Sequence, residues 1–118
     1  MERPISSLEE LVLRIVVNVP NGGASGAEVM ARLSQVGRKA YPNSVYGALQ
    51  RLEKEDCLFT MTQPPRGTRG GRARVMYMIT ENGYELLHQL EEVRKKLPLP
   101  NEYPGYGTKA LASEVGFL

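Results

Sequence analysis

The sequence predicts an α+β fold class that is mostly α, with three helices, a two-stranded β-hairpin and a C-terminal helix. Apolar residues recur at helical spacing in four segments, and two short runs of β-forming residues flank a basic linker rich in glycine and proline. The length of 118 residues, 42% of them apolar, suits one domain with a modest core. We therefore assign residues 1–97 to this domain and residues 98–118 to an irregular tail rich in proline, glycine and aromatic residues.

The first two helices each begin at a predicted capping box, in which a serine and a glutamate three residues later satisfy free amides of the first turn. Ser7 and Glu10 form the first box, and Ser25 and Glu28 form the second. The proline and glycines at 20–23 are expected to end the first helix, and the second is expected to end near Gly37. The predicted buried faces are Leu8, Leu11, Val12, Ile15, Val16 and Val19 in the first helix, and Ala27, Val29, Met30 and Leu33 in the second.

The third helix is predicted over residues 43–55, with Asn43 or a nearby residue as its cap. Val45, Leu49 and Leu52 are spaced four and three residues apart and predict a buried stripe. The opposite face carries small, amide-bearing and basic side chains. A face of this composition can enter a DNA groove, whereas an acidic face would be repelled by the phosphates.

The hairpin is predicted from two β-forming runs at 58–63 and 75–80. The linker over 64–74 holds four arginines and no acidic residue, which is typical of an exposed tip that contacts phosphate. The alternative is a solvated loop without a partner.

A last helix follows from a cap at Thr80 to about residue 97, and its apolar residues repeat at heptad-like spacing: Leu86, Leu90, Val93 and Leu97.

This order of elements is that of a winged helix-turn-helix, in which the third helix reads the major groove and the hairpin, or wing, contacts the backbone or minor groove. Tyr46 has two open roles, because its ring can contact DNA or pack against the second helix or the wing. The candidate DNA-binding residues are Asn43, Ser44, Tyr46, Gly47, Gln50, Arg51 and Lys54 in the third helix, and Arg66, Arg69, Arg72 and Arg74 in the wing.

These segments together resemble the PadR-like transcriptional regulators, over residues 8–90. The third helix, the wing and the exit from the wing carry the most specific part of the resemblance. The matching segments are LEELVL at 8–13, SGAEV at 25–29, SVYGALQRLE at 44–53, GGRAR at 70–74 and YMITENG at 77–83.

The resemblance implies a dimeric repressor that binds a palindromic operator with the third helix and the wing. It also implies dimerisation through the C-terminal helix, here the stripe from Leu86 to Leu97, and a small aromatic or hydrophobic effector near the dimer interface. The stripe can equally pack on the first helix of its own chain. The sequence departs from the family pattern where Asp56 and Cys57 replace a glycine after the third helix and where Tyr41 replaces a small cap before it. The wing linker and the tail also differ.

An enzyme is not expected, because no set of Ser, His and Asp or of Cys and His stands out and no glycine-rich phosphate loop opens a helix. We expect no cofactor and no metal, since the chain has one cysteine and one histidine. Cys57 is expected to be a small buried residue, with a redox-sensing thiol as the alternative.

The lack of a signal peptide or an apolar run of bilayer length predicts a cytoplasmic protein without membrane contact. The competing function is a winged-helix module that binds proteins and has no DNA affinity.

Overall fold

The computed structural model describes residues 3–19, 23–64 and 73–105. Each predicted helix and strand is present in the predicted order. The elements are α1 (Ser7–Asn18), α2 (Gly26–Gln35), α3 (Pro42–Lys54), β1 (Leu58–Gln63), β2 (Arg74–Ile79) and α4 (Glu81–Lys96). The predicted end of α1 at 20–22, the wing residues Arg66, Arg69 and Arg72, and the tail from residue 106 onward lie outside the described residues.

The start of α1 differs from the prediction by one residue. Ser6 is the cap: its hydroxyl accepts from the Glu9 amide at 3.1 Å, and the Glu9 carboxylate accepts from the Ser6 amide at 2.8 Å. The predicted box of Ser7 and Glu10 is therefore wrong, because the carboxylate of Glu10 is bound by arginines instead.

The caps of α2 and α4 were predicted correctly. Ser25 and Glu28 form a capping box at α2, and the Thr80 hydroxyl accepts from the Gly83 amide at 3.0 Å at α4. The cap of α3 is Tyr41, two residues before Asn43, and no side chain of the described residues caps this helix. Pro42 takes the first helical position, where its fixed φ favours the helix and its missing N–H leaves no unpaired donor.

The two strands form an antiparallel pair in which Leu58 lies opposite Ile79 and Gln63 lies opposite Arg74. A further pairing joins the hairpin to the residue before α2. The Ala24 amide donates to the Tyr77 carbonyl at 2.9 Å, and the Tyr77 amide donates to the Ala24 carbonyl at 2.7 Å. The hairpin is thus fixed to the helical part through backbone hydrogen bonds that the sequence did not predict.

The core lies between α1, α2, α3 and the base of the hairpin, and α4 contributes the buried side chain of Leu87. Two predictions about buried faces were wrong. Leu13 is fully buried although it was not placed on the apolar face of α1, and Ala27 is exposed although Val29 and Leu33 of the same predicted face are buried. The buried core residues are Val12, Leu13, Val16, Ala24, Val29, Leu33, Val45, Ala48, Leu49, Leu52, Cys57, Leu58, Met76, Tyr77 and Leu87.

The junction between α3 and β1 keeps the turn that glycine would favour. Asp56 has a φ of 61°, in the left-handed region that glycine adopts most readily. Its carbonyl accepts from the Thr80 hydroxyl at 2.6 Å and from the Asn82 amide at 3.3 Å, which fixes the start of α4. Gly83 then packs against the Cys57 carbonyl, so closely that a side chain at this position would overlap it.

Replacement of Asp56 tests the cost of this conformation. Asp56→Gly is expected to raise the free energy of unfolding by roughly 0.5 kcal/mol. Glycine adopts a positive φ without steric cost, and this gain exceeds the larger loss of backbone entropy that glycine has on folding. Asp56→Val is expected to lower it by roughly 1–2 kcal/mol, because a β-branched residue is strained there. Urea denaturation of both variants measures the difference. Equal stability of the valine and glycine variants would contradict the assignment.

Candidate nucleic-acid interface

The exposed face of α3 is polar and lies opposite four fully buried residues. Val45, Ala48, Leu49 and Leu52 have no exposed surface, so the rotation of α3 about its axis is fixed by the core. The side chains that point outward include Asn43, Ser44, Gln50 and Lys54, and within the described ranges none of these four makes a hydrogen bond or ion pair. Their donors and acceptors are therefore available to a ligand.

Arg51 does not extend freely from this face. Its Nε donates to the Glu9 carboxylate at 3.2 Å, and its Nη1 lies over Gly47, where an added Cβ would be 3.2 Å away. About half of the side chain is exposed, and the Nη groups keep donors beyond the one used for Glu9. The predicted base-reading residue is thus held in one orientation by a carboxylate of α1.

Glu9 is almost completely buried and forms ion pairs with two arginines. Arg3 donates to it through two hydrogen bonds, of 2.9 and 2.6 Å, while Arg51 approaches from α3. The hydrogen bonds from Arg3, with smaller contributions from the Ser6 amide and Arg51, lower the pKa of Glu9 to about 2 against the opposing effect of burial. Arg3 also binds Glu55 at the end of α3, so the segment before α1 is attached to α3.

Tyr46 packs against α2. Its ring lies against Gly26, closely enough that a Cβ there would overlap the ring carbons and the hydroxyl. The ring remains partly exposed at the outer surface of α3. The packing alternative for Tyr46 is therefore the one that the geometry favours, and the absence of a side chain at Gly26 makes the contact possible.

Arg74 is the one candidate arginine of the wing that lies within the described residues, and it forms an ion pair. Its guanidinium lies 3.3 Å from the carboxylate of Glu28, in the first turn of α2. A shallow cavity of about 380 Å³ lies beside this pair, lined by Ser25, Gly26, Ala27, Tyr46, Arg74, Val75 and Tyr77. The base of the wing, the start of α2 and α3 therefore meet at one place on the surface.

The apolar stripe of α4 divides into two parts. Leu86 and Leu90 are half-buried and pack against the core of their own chain. Val93 and Leu97 are 53% and 76% exposed, so the second half of the stripe points to solvent. Leu86 and Leu90 therefore pack within their own chain, whereas Val93 and Leu97 are exposed and compatible with a role in dimerisation.

A second buried carboxylate holds α4 in place. Glu10 accepts from Arg94 at 2.6 and 3.1 Å and from Arg14 at 2.9 Å, and Arg14 also binds Glu91. Burial of the carboxyl raises the pKa of Glu10, but the hydrogen bonds from Arg94 and Arg14 lower it overall. This contact joins α1 to α4 across the surface of the domain.

Glu9 and Arg3 are the residues near the candidate interface that sequence reasoning missed. In the sequence Glu9 is one of two adjacent acids in a first helical turn, a position that is usually solvated. A buried carboxylate needs cationic partners, but those partners are brought together only by the fold.

Cys57 is buried, as expected, and burial raises the pKa of its thiol, which disfavours the reactive thiolate. His88 is exposed and makes an edge-to-face contact with Tyr84. Over the residues that the structure describes, no cluster of three or more His, Cys, Asp or Glu side chains has metal-binding geometry, and no helix has the length and apolar character needed to cross a membrane.

Comparison with known proteins gives a family match and several structural matches. The sequence matches the model described as "Transcriptional regulator PadR-like family" over residues 12–89. No curated protein matches the sequence.

The structural matches share the winged-helix fold. A PadR-like transcription factor from Bacteroides fragilis has 23% identity and a TM-score of 0.65, with 76% of this chain and 82% of that chain covered. A PadR family transcription regulator from Clostridium difficile has 16% identity and a TM-score of 0.67, with 78% and 91% covered. Bacillus subtilis PadR in complex with operator DNA has 19% identity and a TM-score of 0.62, with 98% of this chain and 60% of that chain covered. The predicted fold class and family resemblance are confirmed.

The buried carboxylate of Glu9 predicts a dependence of stability on pH. Because its pKa is lowered from 4.5 to about 2, it stabilises the fold above pH 4.5, and this contribution is lost as the pH falls towards 2. Glu9→Gln is expected to reduce the free energy of unfolding at pH 6 and to show a weaker loss between pH 4.5 and pH 2 than the wild type. Urea denaturation across this pH range measures both effects.

The matched control is Glu85→Gln on the exposed surface of α4, which removes the same charge from a position without an ion pair among the described residues. It is expected to keep the wild-type pH dependence. If Glu9→Gln also kept it, the buried ion pair would not be the cause.

Proposed function

The chain belongs to the PadR-like family of transcriptional regulators, and we propose that it binds double-stranded DNA sequence-specifically as a repressor. In this proposal α3 enters the major groove, and the segment 64–74 contacts the backbone or the adjacent minor groove. The proposal needs no catalytic step, cofactor or metal, and it places the protein in the cytoplasm with its DNA. One solved relative of similar fold is described as being in complex with operator DNA.

The observation that carries the proposal is the outward face of α3. Asn43, Ser44 and Gln50 present polar groups that have no partner among the described residues, on a helix whose opposite face is buried in the core. Amide side chains such as that of Gln50 can make two hydrogen bonds to adenine in the major groove. Tyr46, Gly47, Arg51 and Lys54 complete the proposed surface of α3.

The wing supplies the proposed second contact. Arg74 stands at its base and is paired with Glu28, so its remaining N–H groups are held near the start of α2. Arg66, Arg69 and Arg72 precede it in the sequence, with no acidic residue among them. We propose that these arginines bind phosphates, because their charge is not balanced by acids within the segment.

We propose that the protein acts as a homodimer through α4. Val93 and Leu97 are exposed apolar residues on the half of the stripe that does not pack on its own core, and Leu86 and Leu90 extend the same line. A dimer would place two copies of α3 on two half-sites of a palindrome. A small hydrophobic effector near this dimer interface is part of the proposal and rests on the family resemblance alone.

The decisive experiment measures fluorescence anisotropy of the protein with a pool of random duplexes over a range of salt concentrations. Affinity that falls steeply as salt rises is expected, because contacts to phosphates release counterions. Selection from the pool would then give the operator. A lack of duplex affinity at low salt would exclude the proposal and favour a winged-helix module that binds proteins through α4 and the tail.

Gln50 is expected to contribute to sequence specificity. Gln50→Ala should weaken binding to the selected operator by roughly 1–3 kcal/mol and relax the preference at one base position of each half-site. Competition with operators changed at single positions measures this effect. A loss of affinity that is uniform over all sequences would contradict a base-reading role.

The dimer is expected to depend on the exposed half of the α4 stripe. Val93→Glu should shift the protein towards monomer in light scattering, because a buried unpaired carboxylate is costly in an apolar interface. Gln35→Glu, on the exposed end of α2, introduces the same charge away from α4 and should leave the dimer intact. Monomeric wild type, or a fully dimeric Val93→Glu variant, would contradict the proposal.

A further inference from the structure

The stretch between Glu28 and Glu53 contains no acidic residue. It covers most of α2, the connection over residues 36–41 and nearly all of α3. Its cations are Arg32, Arg38, Lys39 and Arg51. This part of the chain therefore has a positive charge that acids within the same stretch do not balance.

The cations near α3 differ in whether a carboxylate already holds them. Arg51 is paired with Glu9, and Arg74 is paired with Glu28. Across the described part of the chain, neither Arg38 nor Lys39 forms an ion pair. The one hydrogen bond that Arg38 makes there is to the Ser7 hydroxyl at 3.5 Å. No carboxylate of the described residues neutralises the charges of these two adjacent side chains.

Both cations lie in the turn that leads into α3. The connection changes direction at Gly37, whose φ of 81° is readily adopted by glycine. Lys39 is exposed, Arg38 is half-buried, and Tyr41 at the end of the turn is 81% exposed. The turn therefore lies at the end of α3 that carries Asn43 and Ser44.

The wing and this turn lie at opposite ends of α2. Arg74 binds Glu28 in the first turn of α2, while Arg38 and Lys39 follow its last residue. A helix of 10 residues is about 15 Å long, and the major groove is about 12 Å wide. Arg74 at the base of the wing and the pair of Arg38 and Lys39 are thus at opposite ends of a helix whose length is comparable to the width of the groove.

We propose that Arg38 and Lys39 form a phosphate-binding site for the DNA backbone on the side of the major groove opposite to the wing. This inference rests on the proposed DNA-binding function and adds a contact that does not depend on the wing. The side chains would hold one backbone while α3 reads the bases and the wing holds the other. Their ligand is the phosphate diester, because flexible cations without a fixed carboxylate partner bind it without first breaking an ion pair.

The test compares salt dependence of duplex binding among single variants. Lys39→Ala and Arg38→Ala are each expected to reduce the slope of log affinity against log salt by about 0.9 for each bound subunit, and thus by about 1.8 for the proposed dimer, which corresponds to about a 60-fold loss of affinity at 0.1 M salt relative to 1 M. The double variant should lose about twice this slope. Lys39→Arg keeps the charge and should restore the wild-type slope.

Two controls separate a phosphate contact from other effects. Lys96→Ala at the end of α4 removes the same charge far along the chain, and its slope should match that of the wild type. Arg38 also contacts the Ser7 hydroxyl, so its replacement could affect the fold. Thermal unfolding of Arg38→Ala checks this, and the variant is expected to be folded.

The outcomes distinguish this inference from the function on which it rests. Reduced slopes for the turn variants with an unchanged Lys96→Ala slope support the phosphate site. Salt-dependent binding by the wild type with unchanged slopes for Arg38→Ala and Lys39→Ala would overturn the site and keep the DNA-binding function. A wild type without duplex affinity would overturn both.

Discussion

Two adjacent buried carboxylates in the first turn of α1 determine where the neighbouring helices can lie. Glu9 is 1% exposed and Glu10 is 8% exposed, and a charge buried to this extent must be paired. Successive residues of a helix point about 100° apart, so the two carboxylates face different partners. Glu9 receives Arg51 from α3, and Glu10 receives Arg94 from α4.

This arrangement connects the two proposed interfaces of the molecule through one turn of helix. The face of α3 lies on one side of α1, and the exposed stripe of α4 lies on another. Movement of α3 would break the contact of Arg51 with Glu9, and movement of α4 would break that of Arg94 with Glu10, so either movement would leave a buried carboxylate with fewer cationic partners. The position of α3 relative to α4 is therefore fixed within each chain. In a dimer built through α4, the distance between the two recognition helices would follow from this geometry.

The helices and strands could be predicted from the sequence because their signals are local. The choice of capping box and the partners of the charged side chains could not, because they depend on residues far away in the sequence. Apolar spacing located the four helices, and the cap at Thr80 was correct. Ser6, Ser7, Glu9 and Glu10 offer the capping-box spacing twice, and local rules cannot choose between the two registers. The choice follows from Arg94, 84 residues away from Glu10, which occupies that carboxylate. The pairings of Arg51 and Arg74 were invisible for the same reason.

Pairing with carboxylates also decides what each cation can contribute to DNA binding. Glu9 cancels most of the long-range field of Arg51, but it fixes the direction in which the remaining N–H groups point. Base recognition depends on such fixed directions, whereas affinity for phosphates depends on charge that is free to displace counterions. Counting arginines in the sequence therefore overstates the attraction contributed by Arg51 and Arg74. In the proposed complex, cations outside these pairs would supply the larger share of the attraction, and Arg38 and Lys39 in the turn before α3 would be among them.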